Sequence, residues 1–518
     1  MNILGIGGVL SDAAAALIQD GRIAAAIEET KLTRRAQAGQ LPQAAIASCL
    51  DIAGLRAGDI DYVALARPLP PGSGLAASLR QFSRARVVSI DHHAAHAASA
   101  YFLSPFENAT IITLDRAGDL RCGGKWRGAG NRIVLEEEIL YPDSIAELYG
   151  RVTELLGFRQ RADEHMVQWL SATGEPKYAA AFGEIARDRS IDQSYFDSGR
   201  QGQGGFGARF FERLGLNGNA AIAPRDRADI AASMQKTLED YVLRLAGDDA
   251  RNVCIAGGVA WNALLISALE HSGRFEGVFA QPAAGNAGTA LGAALNVWHE
   301  VLGESARSDG DGYCFGPEFG VGETKQTLEN CKLRFRLLPT TPELIGAAVD
   351  ELRDDKIVAW MQGRMEFGPR ALGNRSILAS PQDPYSTENL NTFIKHRESF
   401  RKFAASVPAE RASEFFEVGS NARHLATAGR VRAKYKDQFR GAILASDLIR
   451  VHTVSRDDNP LYWQLLHAFG EKTGLPVLYN TSFNLFGEPL VCTPRDAVRS
   501  FYSSGIDAMV VGNFLLKK

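Results

Sequence analysis

The sequence predicts an α/β fold built from more than one domain. Short apolar runs typical of buried strands alternate with longer segments in which apolar residues recur at helical spacing. Glycine-rich turns follow several of the apolar runs. The chain has 518 residues, which is more than one ordinary hydrophobic core accommodates. We therefore expect roughly three compact units, some of them closely joined.

The chain opens with predicted strands. The run NILGIGG, at 2–8, ends in glycines, and two further runs within 13–28 are joined by Asp20-Gly21. Because Asp-Gly is typical of tight hairpin turns, we expect an opening β-hairpin. The next clear strand is ATIITLD, which ends in Asp115. A parallel strand would deliver this carboxylate to a cleft, so Asp115 is a candidate site residue.

A helix, a strand and a glycine turn are predicted in the middle of the chain. Apolar residues recur at helical spacing within 228–246, and the strand-like NVCIAGGV follows. At the end of this strand, Gly257 and Gly258 precede a helix start, where backbone N–H groups can hold a phosphate. The small residues of GNAGTALGAAL, at 285–295, either form a similar turn or allow close helix packing.

The main domain boundary is predicted near residue 340. A polar, glycine-rich stretch at 303–312 is followed by the Pro/Thr cluster LLPTTPEL. Beyond it, the strand-like runs KIVAW, PVLYNTSFN and DAMVVGNF lie among arginine-rich loops. No sequence repeat is evident. We therefore expect one unit over 1–340 and a second over 341–518.

The composition excludes several classes of function. The net charge of -3, from 57 basic and 60 acidic residues, gives no overall attraction to nucleic acid or to an acidic membrane. The six cysteines are scattered without a CxxC pair, which argues against a disulfide framework and a zinc ribbon. The N-terminus lacks a basic segment before its apolar run, and no apolar run reaches membrane-spanning length. We expect a cytoplasmic protein with neither nucleic acid nor a membrane as partner.

Three histidines lie within the segment DHHAAHAASA, at 91–100. On a helix, the i and i+4 pair His92 and His96 would share one face and could reach a single cation, whereas His93 would point elsewhere. Two histidines are an incomplete ligand set, because divalent cations usually take three or more protein ligands. From spacing alone, both a metal site and an ordinary helix surface remain open.

Cations and glycines are concentrated in the second half, in GRMEFGPRALGNRSI at 363–377 and KHRESFRKF at 395–403. The cations of these two segments include Arg370, Arg375, Lys395, Arg397 and Arg401. Glycines let the backbone approach a ligand closely, and such a density of cations predicts an anionic partner, most naturally phosphate. The alternative is a solvated basic face countered by Glu366 and Glu398. NTSFN, at 480–484, offers amides and hydroxyls to a polar ligand, or forms an ordinary capped turn.

Taken together, these stretches resemble the ATP-dependent O-carbamoyltransferase family, which includes the NodU nodulation, cephem and tobramycin carbamoyltransferases. The similarity extends over essentially the whole chain. The motifs that carry it, in order, are DHHAAHAASA, IITLD, CIAGGVAWN, PAAGNAGTALGAA, FGPEF, GRMEFGPRALGNRS, KHRESFRKF and YNTSFNLFGEPLVCTP.

The resemblance implies two linked catalytic halves. The N-terminal half would have the actin/Hsp70 ATPase-like fold of threonylcarbamoyl-transfer enzymes. The C-terminal half would be a YrdC-like α/β domain that binds ATP and carbamoyl phosphate and forms carbamoyl adenylate with release of pyrophosphate. A divalent metal such as iron, Mg or Mn would help the N-terminal half to pass the carbamoyl group to a small-molecule acceptor, in the biosynthesis of a specialised metabolite.

The resemblance also implies roles for particular residues. The residues that match phosphate- and adenylate-binding positions of the family are Arg370, Lys395, Arg401, Arg450, Asn480 and Ser482. Among them, Lys395 and Arg401 would be catalytic, because they neutralise charge as pyrophosphate leaves. In the first half, His92, His96 and Asp115 match metal-binding positions, and Asp12 matches the acid of an opening His-Asp pair that supplies a general base.

Several residues depart from the family pattern, mostly in the first half. Asn286 replaces an expected carboxylate ligand, which should weaken metal binding or change its preference. Ser11 replaces the histidine of the opening pair, and Arg116 replaces a glycine after Asp115. Trp169 also replaces a glycine, where a large ring would obstruct a ligand that lay against the backbone. In the second half, SDLIR stands where the family carries D-G-T-x-R before Arg450.

Two functions therefore remain open. The first is a carbamoyltransferase with an adapted acceptor site, which uses a hydroxyl or an amine; an amine needs less help to attack an activated carbonyl. The second is a diverged, non-catalytic partner protein whose first half binds ligand without metal-dependent transfer. A homodimer, or a heterodimer with an intact relative, is compatible with the sequence.

Overall fold

The chain forms two five-stranded sheets, a ten-stranded sheet and a two-stranded ribbon. The computed structural model describes residues 1–36, 38–70, 74–197, 199–200, 202–308, 310–396 and 401–518. The first part contains strands β1 (Asn2–Gly7), β2 (Ala14–Gln19), β3 (Arg22–Glu28), β4 (Tyr62–Ala66), β5 (Arg86–Ile90), β6 (Asn108–Gly118), β7 (Arg121–Ala129), β8 (Arg132–Leu140), β9 (Ala186–Arg187), β10 (Ser190–Ile191), β11 (Asn252–Ala256) and β12 (Gly277–Ala280).

The two five-stranded sheets repeat one topology. The first has the order β3-β2-β1-β4-β5, and the second has the order β8-β7-β6-β11-β12. In each sheet the first three strands are antiparallel neighbours, and the last two continue parallel to the central strand. This duplicated arrangement is the actin/Hsp70 ATPase-like fold expected from the resemblance. The repeat is invisible in the sequence because topology depends on the pattern of burial rather than on residue identity.

The first part also contains α-helices, and two of them fill the space between its five-stranded sheets. The helices of this part are α1 (Glu29–Thr33), α2 (Gln43–Ala53), α3 (Gly74–Leu79), α4 (His92–Tyr101), α5 (Ile145–Leu155), α6 (Glu164–Ser171), α7 (Ala179–Ile185), α8 (Ala208–Leu214), α9 (Pro224–Ala246), α10 (Ala263–His271) and α11 (Gly288–Asn296). Helices α4 and α11 pack so closely that a Cβ atom at Gly292 would overlap the carbonyl of Ala95. The small residues of 285–295 therefore serve close helix packing.

The second part is built on the ten-stranded mixed sheet. Its strands are β13 (Arg336–Leu337), β14 (Val358–Met361), β15 (Arg375–Ala379), β16 (Ala404–Pro408), β17 (Phe416–Glu417), β18 (Ala428–Val431), β19 (Leu448–Val454), β20 (Leu478–Ser482), β21 (Ala508–Val511) and β22 (Phe514–Lys517), in the order β13-β22-β21-β14-β15-β20-β16-β19-β18-β17. Its helices are α12 (Val321–Asn330), α13 (Thr341–Arg353), α14 (Ser386–Asn389), α15 (Ala412–Phe415), α16 (Pro460–Thr473) and α17 (Pro494–Tyr502). This is the YrdC-like α/β domain.

The local predictions and the structure agree for most elements. Asp20-Gly21 joins β2 to β3 in the expected hairpin, and ATIITLD lies within β6. The C-terminal sheet, however, begins before residue 340. Strand β13 pairs with β22, and Leu328 of α12 is fully buried in the C-terminal core. The predicted boundary near 340 thus falls inside this unit, because a two-residue strand and a polar helix carry little apolar signal.

Three buried histidines predict acid sensitivity. Burial lowers the pKa of His299 to about 4, that of His424 to about 3 and that of His452 to about 4. Each folded-state pKa lies below the unfolded value of about 6.5, so the unfolded chain binds more protons as the pH falls. Each group therefore contributes stability that is present above pH ~6.5 and is lost, at about 1.4 kcal/mol per pH unit, as the pH falls toward ~4.

Unfolding followed by tryptophan fluorescence between pH 7 and pH 4 checks this expectation. The apparent melting temperature should fall with pH, and His299→Gln should flatten that fall. His271→Gln, at an exposed histidine, should leave it unchanged. A melting temperature independent of pH over this interval would contradict the prediction.

Among the residues that the structure describes, no helix combines the length and the apolar character needed to cross a membrane.

Candidate functional site

Two histidines and an aspartate meet at the N-terminus of α4. Asp91 caps this helix by accepting hydrogen bonds from the backbone N–H groups of His93 and Ala94, at 3.0 and 3.1 Å. The cap fixes the helix start, so His92 and His96 lie on one face. The Nε2 atoms of both rings lie 3.3 Å from Asp115 Oδ2. We call these three residues the His/Asp cluster.

The surroundings of His92 orient its ring. Its Nδ1 atom lies 3.1 Å from the carbonyl oxygen of Arg67, which can only accept, so Nδ1 donates. Its Nε2 atom points toward Asp115 Oδ2 at 3.3 Å. Burial alone would lower the pKa of His92, but the Asp115 carboxylate and the Arg67 carbonyl raise it overall. Although burial would raise the pKa of Asp115, contacts with His92 and His96 hold it well below its ordinary value. Asp115 is therefore ionised.

The His/Asp cluster fits a divalent metal. One ligand atom from each residue lies within 4.8 Å of the others. Within the described part of the chain, His96 Nδ1 has no hydrogen-bond partner and His96 Nε2 has no polar contact besides Asp115, although the residue is fully buried. Buried ring nitrogens beside a carboxylate form a donor set that suits a divalent cation, and buried polar atoms are rarely left unsatisfied. The alternative of an ordinary helix surface does not hold for these histidines, and His93 points elsewhere, toward Thr113 Oγ1 at 3.1 Å.

Two of the departures from the family pattern contact each other. The Asn286 side-chain amide donates a hydrogen bond of 2.7 Å to the Ser11 hydroxyl. Both groups are neutral. Desolvation in the cleft and the nearby Asp115 carboxylate raise the pKa of the adjacent Asp12, and the Ser11 hydroxyl offsets part of this rise. Asp12 is thus a stronger base than an ordinary aspartate, beside a neutral pair where the family carries a histidine and a carboxylate.

The glycine turn after β11 lies against the His/Asp cluster. A Cβ atom at Gly258 would lie 3.3 Å from Asp115 Oδ1, and Gly257 packs against the adjacent Leu114 backbone. A phosphate at this turn, as the sequence predicts, would face an ionised carboxylate unless a cation lay between them. The expected roles of Gly257 and Gly258 in cofactor binding therefore depend on a metal in the cluster.

In the second half, Lys395 is fixed at the end of β20. Its ammonium donates to the carbonyl oxygens of Ser482 and Asn484, at 2.6 and 2.9 Å, and to Asn484 Oδ1 at 2.8 Å. The Ser482 hydroxyl donates to the same Oδ1 atom at 2.7 Å. The structure thus brings Lys395, from the basic segments, together with Ser482 and Asn484 of the NTSFN segment.

Asn480 lies two residues earlier on β20. Its amide nitrogen donates to the carbonyl of Ala371 at 3.1 Å. Its Oδ1 atom is buried and accepts no hydrogen bond from the described residues. Because buried acceptors are rarely left unsatisfied, this oxygen is suited to a ligand donor.

Arg370 extends from the second half toward the first. Its guanidinium is half-buried and donates to the carbonyl of Trp261 at 3.5 Å, across the boundary between the halves. Burial lowers the pKa of Arg370 to about 10, so the group stays charged at neutral pH. A partly desolvated cation is favourable for binding a phosphate.

Glu366 shapes the loop that carries Arg370. One oxygen of this fully buried carboxylate accepts hydrogen bonds from the backbone N–H groups of Leu372, Asn374 and Arg375, at 2.8 to 3.0 Å. The alternative of a solvated basic face countered by Glu366 is therefore wrong for this residue. Glu398 and Arg397 lie outside the described residues.

Arg375 has a structural position instead of the expected one in the cofactor site. Its side chain is fully buried, and its guanidinium donates to the carbonyl oxygens of Gln362, Gly363, Asn374 and Pro317, at 2.6 to 3.3 Å. These bonds hold the 362–375 loop together. The sequence does not distinguish Arg375 from Arg370, because the acceptors of Arg375 are backbone carbonyl oxygens. Every residue has such an oxygen, so no residue pattern marks them.

Trp169 forms a wall of the Arg450 site. The Arg450 guanidinium lies 5.7 Å from the Trp169 ring centroid and donates to the Leu425 carbonyl at 3.2 Å. Trp169 is itself buried, and it packs with Ala263 and Leu264 of the first half and with Ala428 of the second. The Trp169 ring therefore contacts residues of both halves. From the sequence, it is expected only to obstruct a ligand that lies against the backbone.

Replacing Trp169 by glycine should destabilise the protein. Loss of this buried indole should lower the free energy of unfolding by about 3–5 kcal/mol, whereas Trp169→Phe should cost less because it keeps most of the contact area. Urea denaturation of the two variants checks this. Equal stability of the glycine variant and the unmodified protein would show that the ring carries no contact between the halves.

His165, on α6, is a candidate that the sequence did not reveal. Its Nε2 atom is buried and has no hydrogen-bond partner among the described residues. Burial and the positive charges of Arg401 and Arg370 lower its pKa to about 4, so the ring is neutral. No local pattern marks His165, since its proximity to these arginines arises only from the docking of the halves.

A cavity of about 260 Å³ lies where the halves meet. Asp12 and Trp261 line it from the first half, and Ser482, Asn484 and Leu490 line it from the second. The cavity therefore extends from Asp12 to Ser482 and Asn484, the two residues that hold Lys395. We call it the interdomain cavity.

Comparisons with known proteins support the family expected from the sequence for both halves of the chain. The carbamoyltransferase N-terminus family model matches residues 2–68 and 73–295, and the carbamoyltransferase C-terminus model matches residues 349–518. The uncharacterized protein sll1178 of Synechocystis sp. is 33% identical, over 100% of this chain and 97% of its own length. Nodulation protein NolNO of Sinorhizobium fredii is 32% identical, over 98% of this chain and 79% of its own.

Among solved structures, T. kodakarensis HypF is 17% identical with a TM-score of 0.37, and the match covers 60% of this chain and 48% of that one. The two family models together span both halves of the chain, and the relatives align over nearly all of it. The chain belongs to the carbamoyltransferase family.

Proposed function

We propose that this protein activates carbamoyl phosphate with ATP, forms carbamoyl adenylate and transfers the carbamoyl group to a small-molecule acceptor. The observation that carries the proposal is the interdomain cavity. It is lined by Asp12, close to the His/Asp cluster, and by Ser482 and Asn484, which hold Lys395. One space therefore adjoins the groups expected for both half-reactions.

The second half supplies the groups for activation. Activation begins when water cleaves the P–O bond of carbamoyl phosphate, which frees phosphate and carbamate. A carbamate oxygen then forms a bond to the α-phosphorus of ATP, the bond from that phosphorus to the bridging oxygen breaks, and pyrophosphate leaves. Charge develops on the leaving pyrophosphate, and positively charged groups stabilise it. Lys395, Arg370 and Arg401 would have this role, and Asn480 would orient the nucleotide.

The first half supplies the groups for transfer. His92, His96 and Asp115 would hold a divalent metal, which when bound polarises a carbonyl oxygen as a Lewis acid. Asp12, whose pKa is raised by desolvation and by Asp115, would accept the proton of the attacking acceptor. The amide nitrogen of Asn286, where the family carries a carboxylate ligand, donates to Ser11.

Incubation with ATP and carbon-labelled carbamoyl phosphate tests the proposal. We expect AMP and labelled carbamoyl adenylate, identified by mass spectrometry, and passage of the label to an added acceptor. Formation of ADP, or AMP that does not depend on carbamoyl phosphate, would contradict it.

The Ser11 and Asn286 pair also bears on the second function, a non-catalytic partner protein. The double variant Ser11→His with Asn286→Asp restores the residue types of the family pattern. An adapted enzyme should lose its native turnover in this variant, since the neutral pair beside Asp12 is removed. A protein that has lost catalysis should instead gain metal binding or activity.

A further inference from the structure

The interdomain cavity has one unbalanced negative charge, at Asp12. The other charged residues that line it are neutralised locally. Lys31 pairs with Glu28 at 2.8 Å, and its remaining hydrogens go to the carbonyls of Glu366 and Gly368, at 2.9 and 2.6 Å.

Glu488, the other acidic residue of the lining, also has basic partners. It lies 2.9 Å from Arg499 and 3.5 Å from Arg34. Asp12, by contrast, forms no ion pair with any residue that the structure describes, and its side chain is exposed to the cleft. A ligand with one positive charge would therefore complete the cavity.

Trp261 provides an aromatic surface in the same cavity. It is the one aromatic residue of the lining within the described ranges, and it is 37% exposed. Its ring packs against Gly285, where any Cβ atom would overlap it. An indole together with a carboxylate is a favourable environment for an ammonium group. Ala283, Pro369 and Leu490 supply an apolar boundary for the rest of such a ligand.

The neutral Ser11 and Asn286 pair fits the same ligand. A histidine at residue 11 would place a second base, and at lower pH a cation, beside Asp12. The serine hydroxyl, held by the Asn286 amide at 2.7 Å, leaves Asp12 as the charged group at this end of the cavity. An alcohol needs a base during attack, whereas an amine is already nucleophilic once it has lost one proton.

We infer that the interdomain cavity binds a small cationic amine as the carbamoyl acceptor, with its ammonium group at Asp12 and its carbon chain along Trp261. This inference rests on the proposed function. The ammonium gives one proton to Asp12, and the amine nitrogen attacks the carbonyl carbon of carbamoyl adenylate. The new C–N bond forms, the C–O bond to the adenylate phosphate breaks, and AMP leaves with the electron pair. The second amine proton passes to water, and the product is a substituted urea.

Matched amine and alcohol probes test this inference. Butylamine and 1-butanol, and benzylamine and benzyl alcohol, differ only in the nucleophile and its charge. The protein is incubated with ATP, labelled carbamoyl phosphate and each probe, and labelled product and carbamoyl adenylate are measured in the same sample. We expect the amines to be carbamoylated at least tenfold faster than the alcohols. Equal rates, or carbamoyl adenylate that reaches neither amine, would overturn the inference.

Two variants and a control locate the site. Asp12→Asn should raise the KM for butylamine at least tenfold, and Asp12→Glu should recover part of the loss. Asp51→Asn, at an exposed carboxylate on α2 outside the cavity, should leave this KM unchanged. An unaltered KM in a folded Asp12→Asn protein would contradict the placement of the ammonium group.

Calorimetry without ATP separates the two proposals. If no carbamoyl adenylate forms in any sample, the proposed function fails. The cavity is then judged by binding alone. Saturable binding of butylamine, at least tenfold weaker in Asp12→Asn, would support it, and the absence of binding would overturn it.

Discussion

Replacing Lys395 by methionine should reduce carbamoyl-phosphate-dependent pyrophosphate release about 100-fold, comparable to the loss of a donor that stabilises transition-state charge. The ammonium is almost fully buried and is held in place by Ser482 and Asn484. Methionine preserves most of the apolar stem and removes the charge. Because the position of this charge is fixed before substrate binds, its loss should appear mainly in kcat.

A control separates this effect from a general change in charge. Lys236→Met removes an exposed ammonium that pairs with Asp240 on α9 and should leave the rate unchanged. Thermal unfolding of both variants shows whether the Lys395 variant is folded. A folded Lys395→Met protein with full pyrophosphate release would remove Lys395 from the activation site.

Replacing His96 by alanine should weaken divalent metal binding at least about 100-fold, since even an outer partner of a metal ligand contributes about 10- to 100-fold. His96 is fully buried, its Nδ1 has no hydrogen-bond partner among the described residues, and its Nε2 lies 3.3 Å from Asp115 Oδ2. The measurement is metal content by mass spectrometry, after loading with iron, Mn or Mg, together with the rate of carbamoyl transfer.

His271→Ala is the matched control, because His271 is an exposed histidine on α10 whose Nδ1 contacts the Ser267 carbonyl at 2.8 Å. It should retain the metal content of the unmodified protein. Metal content that is equal in the His96 and His271 variants would contradict the assignment of the His/Asp cluster.

The fold was largely predictable because its signals are local. The Asp20-Gly21 turn, the β-branched run before Asp115 and the helical periodicity of α9 each depend on a few neighbouring residues. His92 and His96 were found in the same way, by helical spacing. Asp115 could be added because a strand end presents its side chain to a cleft.

The features that the sequence did not reveal depend on distant contacts. Ser11 and Asn286 are 275 positions apart, and their hydrogen bond exists only because α11 packs against the first sheet. Arg375 was expected at the phosphate site, yet backbone carbonyls surround it. His165, in the first half, lies close enough to Arg370 and Arg401 of the second half for their charges to lower its pKa. Patterns of residue type cannot distinguish these situations, because they carry no information on tertiary partners.

The most direct test of this account is pyrophosphate release from ATP, with and without carbamoyl phosphate, in the absence of any acceptor. The account predicts pyrophosphate release that depends on carbamoyl phosphate and is accompanied by carbamoyl adenylate. Folded protein that binds ATP but releases no pyrophosphate when carbamoyl phosphate is added would contradict it.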